Sequence, residues 1–68
     1  MTKQQVRRDG SAYYTDDAEY VVSKLNGVTV VRRGDGSYKE FATAVMAHDA
    51  AYRLAAGLVD DSQFDWQD

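Results

Sequence analysis

The chain has no cysteine and no proline in its 68 residues, a single histidine, a single tryptophan and no long apolar run. Without cysteine there can be no disulfide, thiolate metal site, iron–sulfur cluster or cysteine nucleophile. Without proline nothing forces a kink or a stiff extended linker. No segment approaches the roughly 18 consecutive apolar residues of a membrane span, and the N-terminal MTKQQVRRDG lacks the apolar stretch of a signal peptide. The expectation is a protein of the cytoplasm with no membrane partner. A chain this short buries only about 60% of its unfolded surface, so core packing, helix capping or a homodimer must supply its stability.

What is present is globular in character, with 44% hydrophobic and 12% aromatic residues. Eight basic residues stand against eleven acidic ones, and the formal net charge is -3. The charge is segregated: residues 1–39 carry a net +2, and residues 40–68, where Arg53 is the only base, carry -5. Such polarity points to charged partners, or to the two halves pairing with each other.

Two short stretches echo one another. Val6-Arg7-Arg8-Asp9-Gly10-Ser11 is followed within two residues by Tyr13, and Val31-Arg32-Arg33-Gly34-Asp35-Gly36-Ser37 is followed at once by Tyr38. In both, an Asp-Gly turn signal succeeds a strand-compatible basic run. Between them, Thr15 or Asp16 suits a helix cap, Asp16, Asp17 and Glu19 suit a first helical turn, and Ala18, Val21, Val22 and Leu25 recur at helical spacing. Asn26-Gly27 suits the helix end. The same residues also fit a hairpin, with Tyr and Val as strand formers and Asn-Gly as its turn. Capping and acid placement favour the helix. Val28 to Arg33 reads as the best strand.

Beyond it, Ser37 and Glu40 fit a capping box, and Tyr38, Phe41, Val45, Tyr52 and Ala55 keep helical period up to Gly57. An alternative pairs Tyr38 to Ala42 with the preceding strand and starts the helix at Thr43. The expected fold is thus α+β. Two helices, 16–26 and 38–56, pack on a small, mostly antiparallel sheet of two to four short strands around 4–8, 12–14 and 28–33. Residues 1–58 form the domain and 59–68 an acidic aromatic tail. The expected core is Val22, Leu25, Val28, Val30, Phe41, Val45, Tyr52 and Leu58.

The chemistry-bearing residue types are sparse. His48 has no metal-ligating companions at usable spacing. Gly34-Asp35-Gly36-Ser37 lacks the P-loop and dinucleotide fingerprints and reads as a turn with a cap. No serine has an activating context, no carboxylate pair sits at a motif spacing, and no cofactor signature is present. These observations point to a non-enzymatic protein without cofactor or metal.

Three surfaces remain. Asp60, Asp61, Asp65 and Asp68 surround Phe64 and Trp66, a combination suited to docking on a basic protein surface, with the acids steering encounter and the rings supplying affinity. The competing reading folds both rings back onto the core. Arg7, Arg8, Arg32 and Arg33 would form a nucleic-acid-binding strip if their strands are neighbours, with tyrosines as stacking faces. The acidic composition weighs against it, and pairing of these arginines with Asp60, Asp61, Asp65 and Asp68 is its competitor. Val45, His48 and Tyr52 share a helical stripe along which a structural homo-oligomer would form.

The run Asp17-Ala18-Glu19-Tyr20-Val21-Val22-Ser23-Lys24-Leu25-Asn26 resembles one common in short phage-encoded reading frames. In being small, acidic and cysteine-free, the chain is also similar to phage accessory inhibitors of the anti-CRISPR type. That resemblance implies an inhibitor that binds a nucleic-acid-handling host protein, in the host cytoplasm, and carries no residue assignment with it.

Overall fold

In a computed structural model, which describes residues 5–68, five strands precede one helix. The strands are β1 (Arg7–Asp9), β2 (Ala12–Tyr14), β3 (Glu19–Leu25), β4 (Val28–Arg33) and β5 (Tyr38–Phe41). The helix α1 (Ala44–Ala56) follows, and then a 3-10 turn at Asp61–Gln63. The sheet is an antiparallel meander in the order β1-β2-β3-β4-β5, with every connection made between sequence neighbours. The architecture is α+β, with one helix where two were expected and five strands where two to four were. The helix is not long and apolar enough to cross a membrane.

The expected helix at 16–26 is instead β3, the first strand of a hairpin with β4, and the loop before it. Asn26 (φ 53) and Gly27 (φ 81) both lie in the left-handed region, as a two-residue type I′ turn demands, and Leu25 pairs with Val28 across it. Asn and Gly tolerate that conformation, whereas most residues pay about 1–2 kcal/mol for it. The β-branched and aromatic run Tyr20-Val21-Val22 then alternates between buried and half-buried along the strand. Asp16 and Asp17 lie in the β2–β3 loop, where the Thr15 amide donates to the Ala18 carbonyl at 2.9 Å. Their acidity marks a polar loop, not a helix start.

The first turn of the expected 38–56 helix is likewise strand. Thr29 to Arg32 pair with Phe41 to Tyr38, and the capping-box pair Ser37 and Glu40 caps nothing helical. Asp35 Oδ1 accepts both the Ser37 amide at 2.9 Å and the Ser37 hydroxyl at 2.6 Å. Together with Gly36 (φ 94) this closes the β4–β5 turn. The helix is capped at Thr43, whose hydroxyl accepts the Met46 amide at 3.2 Å. It ends as the sequence indicates, at Gly57 (φ 76). There Gly57 donates to Leu54 and Leu58 to Arg53, a Schellman closure. The expected strand at 12–14 is present, and that at 28–33 has those bounds. Of the one expected at 4–8, residue 4 lies outside the described residues, and the described strand begins at Arg7.

Register assigns each side chain to one of two sheet faces. Tyr13, Tyr20, Val22 and Val31 share the face that packs on Ala47, Ala51, Leu54 and Ala55 of the helix. Alanines at the contact let the helix lie close on the tyrosine and valine layer. Val22 and Val30 are buried as expected, and Phe41 packs on the core from its edge. Val28, Val45, Tyr52 and Leu58 are exposed instead. For Val45 and Tyr52 the expected burial rested on a helical stripe shared with Tyr38 and Phe41, but those two residues are strand and the helix buries its Ala47, Ala51, Leu54 and Ala55 side instead. The other face carries Arg7, Tyr14, Val21, Ser23, Val30, Arg32, Tyr38 and Glu40.

Candidate interaction surfaces

The residues read as an acidic aromatic tail divide into two groups. Phe64 and Trp66 are half-buried and pack against the core, as does Val59. The chain returns beside β5, where Tyr38 and Gln67 exchange both backbone hydrogen bonds at 2.8 Å. That bridge occupies part of the β5 edge. Trp66 lies under the Arg33 guanidinium, 4.4 Å from ring centroid to Cζ, and beside Tyr20 and Phe64 at 6.3 and 5.9 Å. Its indole N–H donates to the Asp61 carbonyl at 2.6 Å.

Asp61 holds the same cluster from its side chain. Oδ2 accepts from Arg33 Nη1 at 3.2 Å and lies 3.5 Å from the Tyr20 hydroxyl. Arg33 also donates from Nε to Ser37 Oγ at 2.7 Å. Burial, followed by the neighbouring Asp61 carboxylate, pushes the Tyr20 phenol above its ordinary pKa. Arg33, from the nucleic-acid set, and Asp61, Phe64 and Trp66, from the partner-binding set, are thus joined to each other within the fold. Their pairing fastens residues 59–68 to the sheet.

The four arginines are not brought together. β1 and β4 are separated by β2 and β3, and each Arg-Arg pair sends one side chain to each face. Arg8 lies over Tyr13 at 5.2 Å and donates to the Gly10 carbonyl at 2.8 Å. Arg7 pairs with Asp16 at 2.8 Å and lies over Tyr14 at 5.8 Å. Arg32 is exposed, flanked in register by Val21 and Tyr38. The premise of a continuous basic strip is absent from this topology. In the helical stripe, Val45 and Tyr52 are exposed, while His48 Nδ1 is hydrogen-bonded to the Tyr13 hydroxyl at 2.7 Å. Among the described residues no group of three or more His, Asp or Glu is placed to hold a metal ion.

Three loops, all at one end of the sheet, assemble a feature the sequence reading did not anticipate. An open groove of about 270 Å³ is lined by Asp17, Glu19, Tyr20, Arg33, Asp35 and Asp61, among others. A larger one of about 500 Å³ shares Asp17 and Glu19 and adds Asp9, Tyr14 and Asp16. Asp60 adjoins, capping the 3-10 turn by accepting the Ser62 amide at 3.0 Å. Hydrogen bonds from the Ser37 hydroxyl and amide hold the Asp35 carboxyl below the ordinary aspartate pKa. Those from Ser62 do the same at Asp60. Both groups keep their charge to lower pH than an ordinary aspartate does. Asp65 and Asp68 are exposed outside these grooves. The only sequence signal for this convergence was the Asn26-Gly27 hairpin, which brings Glu19 back beside Gly34.

Comparison with family models, curated proteins and solved structures finds no match to this chain.

Proposed function

We propose that the chain is a non-enzymatic protein-interaction module whose acidic end docks on a basic surface of a partner protein. One observation carries the reading: the β2–β3 loop, the β4–β5 loop and the segment after the helix bring Asp16, Asp17, Glu19, Asp35 and Asp61 to one end, with Asp60 near enough for its charge to act on Tyr20. Arg7 and Arg33 are the bases among them. Carboxylates concentrated on one end raise the local density of cationic groups and accelerate encounter with a basic partner, at a rate that falls with ionic strength. The phage-inhibitor resemblance narrows the partner to a nucleic-acid-handling protein, whose basic surface the acids would occupy in place of nucleic acid.

The test uses Asp17→Asn/Glu19→Gln/Asp60→Asn. Asp61 is left intact, because neutralising it would loosen the tail and mix folding with binding. Asn also keeps the capping role at Asp60. An oligolysine peptide serves as the probe, titrated at low and high salt, with a DNA-binding protein from a phage host as the second ligand. Wild type is expected to bind both, more weakly as salt rises, and the triple variant to bind about tenfold or more weaker. Equal affinity for wild type and variant would refute the acidic-end reading.

A further inference from the structure

We propose that the outer face of α1 is a self-association surface on which a second copy of this chain packs, helix against antiparallel helix about a two-fold axis. Of the five large hydrophobic residues left exposed among those described, Val45 (79%), Met46 (53%) and Tyr52 (48%) lie on this helix and Leu58 (51%) just beyond it. Val45 and Tyr52 are seven residues apart and share one stripe. Asp49 and Arg53 flank that stripe and pair along the helix at 3.0 Å, both more than half exposed.

The order of these residues chooses the occupant. With the acid nearer the helix N-terminus and the base nearer the C-terminus, an antiparallel copy places Asp49 against Arg53 of the second copy, twice by symmetry. A parallel copy would set like charges together. The same antiparallel register brings Val45 against Gly57 of the second copy, a large side chain facing a residue that has none. Asp49 and Arg53 cancel, so the stripe has no net charge with which to select a strongly acidic or basic partner, unlike the acidic end. The helix of 13 residues is only about 20 Å long. Its face therefore buries less than the roughly 800 Å² per partner of a standard stable interface, and the dimer is expected to be weak and reversible.

Sedimentation equilibrium between about 10 μM and about 1 mM protein covers the expected range of dissociation constants. The wild type is expected to rise from its monomer mass of 7.6 kDa toward twice that value. Val45→Asp and Asp49→Arg should each remain monomeric, with circular dichroism and thermal melts confirming that both are folded. The double variant Asp49→Arg/Arg53→Asp restores opposite charges across the axis and should recover dimerisation. A wild type that stays monomeric throughout, a dimer that persists in Val45→Asp, or a double variant that fails to recover would each overturn the proposal.

Discussion

The two faces of the sheet are built from the same five strands and do opposite things with them. On the helix-covered face, Tyr13, Tyr20, Val22 and Val31 meet a layer of alanines and Leu54, and the cations at its margin lie over rings: Arg8 over Tyr13, Arg33 over Trp66, Lys39 over Phe41. The other face alternates apolar centres, Val21 and Val30, with Arg7, Glu19, Arg32 and Glu40. Adjacent residues of one dipeptide are thereby committed to different work. Arg33 becomes a part of the fold, and Arg32 remains on the surface. A basic pair in a strand is therefore two separate features, and only the register says which is which.

The comparison can be broken most severely at the covered face. Leu54→Ala, at a site 5% exposed, is expected to cost about 2–5 kcal/mol. That is comparable to the whole stability of a small domain, so the variant should be largely unfolded by circular dichroism at 37 °C. Val28→Ala, at an exposed position of the other face, should stay within about 0.5 kcal/mol of wild type. Equal losses at the two sites would mean that the faces do not differ in the way described.

Next in size is the tail. Trp66→Ala removes a half-buried ring, its contact with Arg33 and its bond to Asp61, and is expected to cost about 2 kcal/mol in urea denaturation. Asp65→Asn, in the same segment but exposed, should be silent. If the reverse holds, the tail's charges rather than its rings fasten it.

The hairpin turn sets the register that sorts side chains between faces, so Gly27→Ala should cost about 1–2 kcal/mol through its left-handed backbone alone. Open space surrounds the position, so no steric clash contributes. On the less covered face, Ser23 has a buried hydroxyl without a hydrogen-bond partner. Ser23→Ala should raise stability by about 1 kcal/mol, visible as a higher melting temperature.

The smallest effects are those of pH. Asp35 and Asp60 titrate below the ordinary aspartate pKa in the folded chain. Their contribution is therefore complete above the unfolded value and is lost as pH falls through the lower folded values. Tyr20 behaves oppositely. Its folded pKa is raised above 10.0, so stability declines as pH rises through and beyond that value, and Tyr20→Phe should abolish this alkaline component.

Local chemistry made several elements legible from the residues alone. Gly57 ends the helix, Asp9-Gly10 and Asp35-Gly36 mark turns, and Val28 to Arg33 is strand, because each is set by backbone conformations that few residue types adopt. The segment 18–25 was ambiguous for a physical reason: Ala18, Val21, Val22 and Leu25 fit a period of 3.6, Tyr20-Val21-Val22 fits a strand, and the acids around them suit a cap or a loop equally. Pairing with β2 and β4 on either side resolved it. The exposure of Val45 and Tyr52 was hidden for a related reason, since Tyr38 and Phe41, which extend their stripe at helical spacing, are strand, and the side the helix buries is mostly alanine.

By itself the sequence determined the composition limits, the α+β class, the helix end and the acidic excess, all of which are properties of single residues or short spans. Only the tertiary structure decided that Arg33, Asp61 and Trp66 belong to one cluster and that Asp16, Asp17, Glu19, Asp35 and Asp60 share one end. Those residues are up to 44 positions apart in the chain. What joins them is strand pairing between the β3–β4 and β4–β5 hairpins and the return of the tail beside β5, and no local preference encodes that distance.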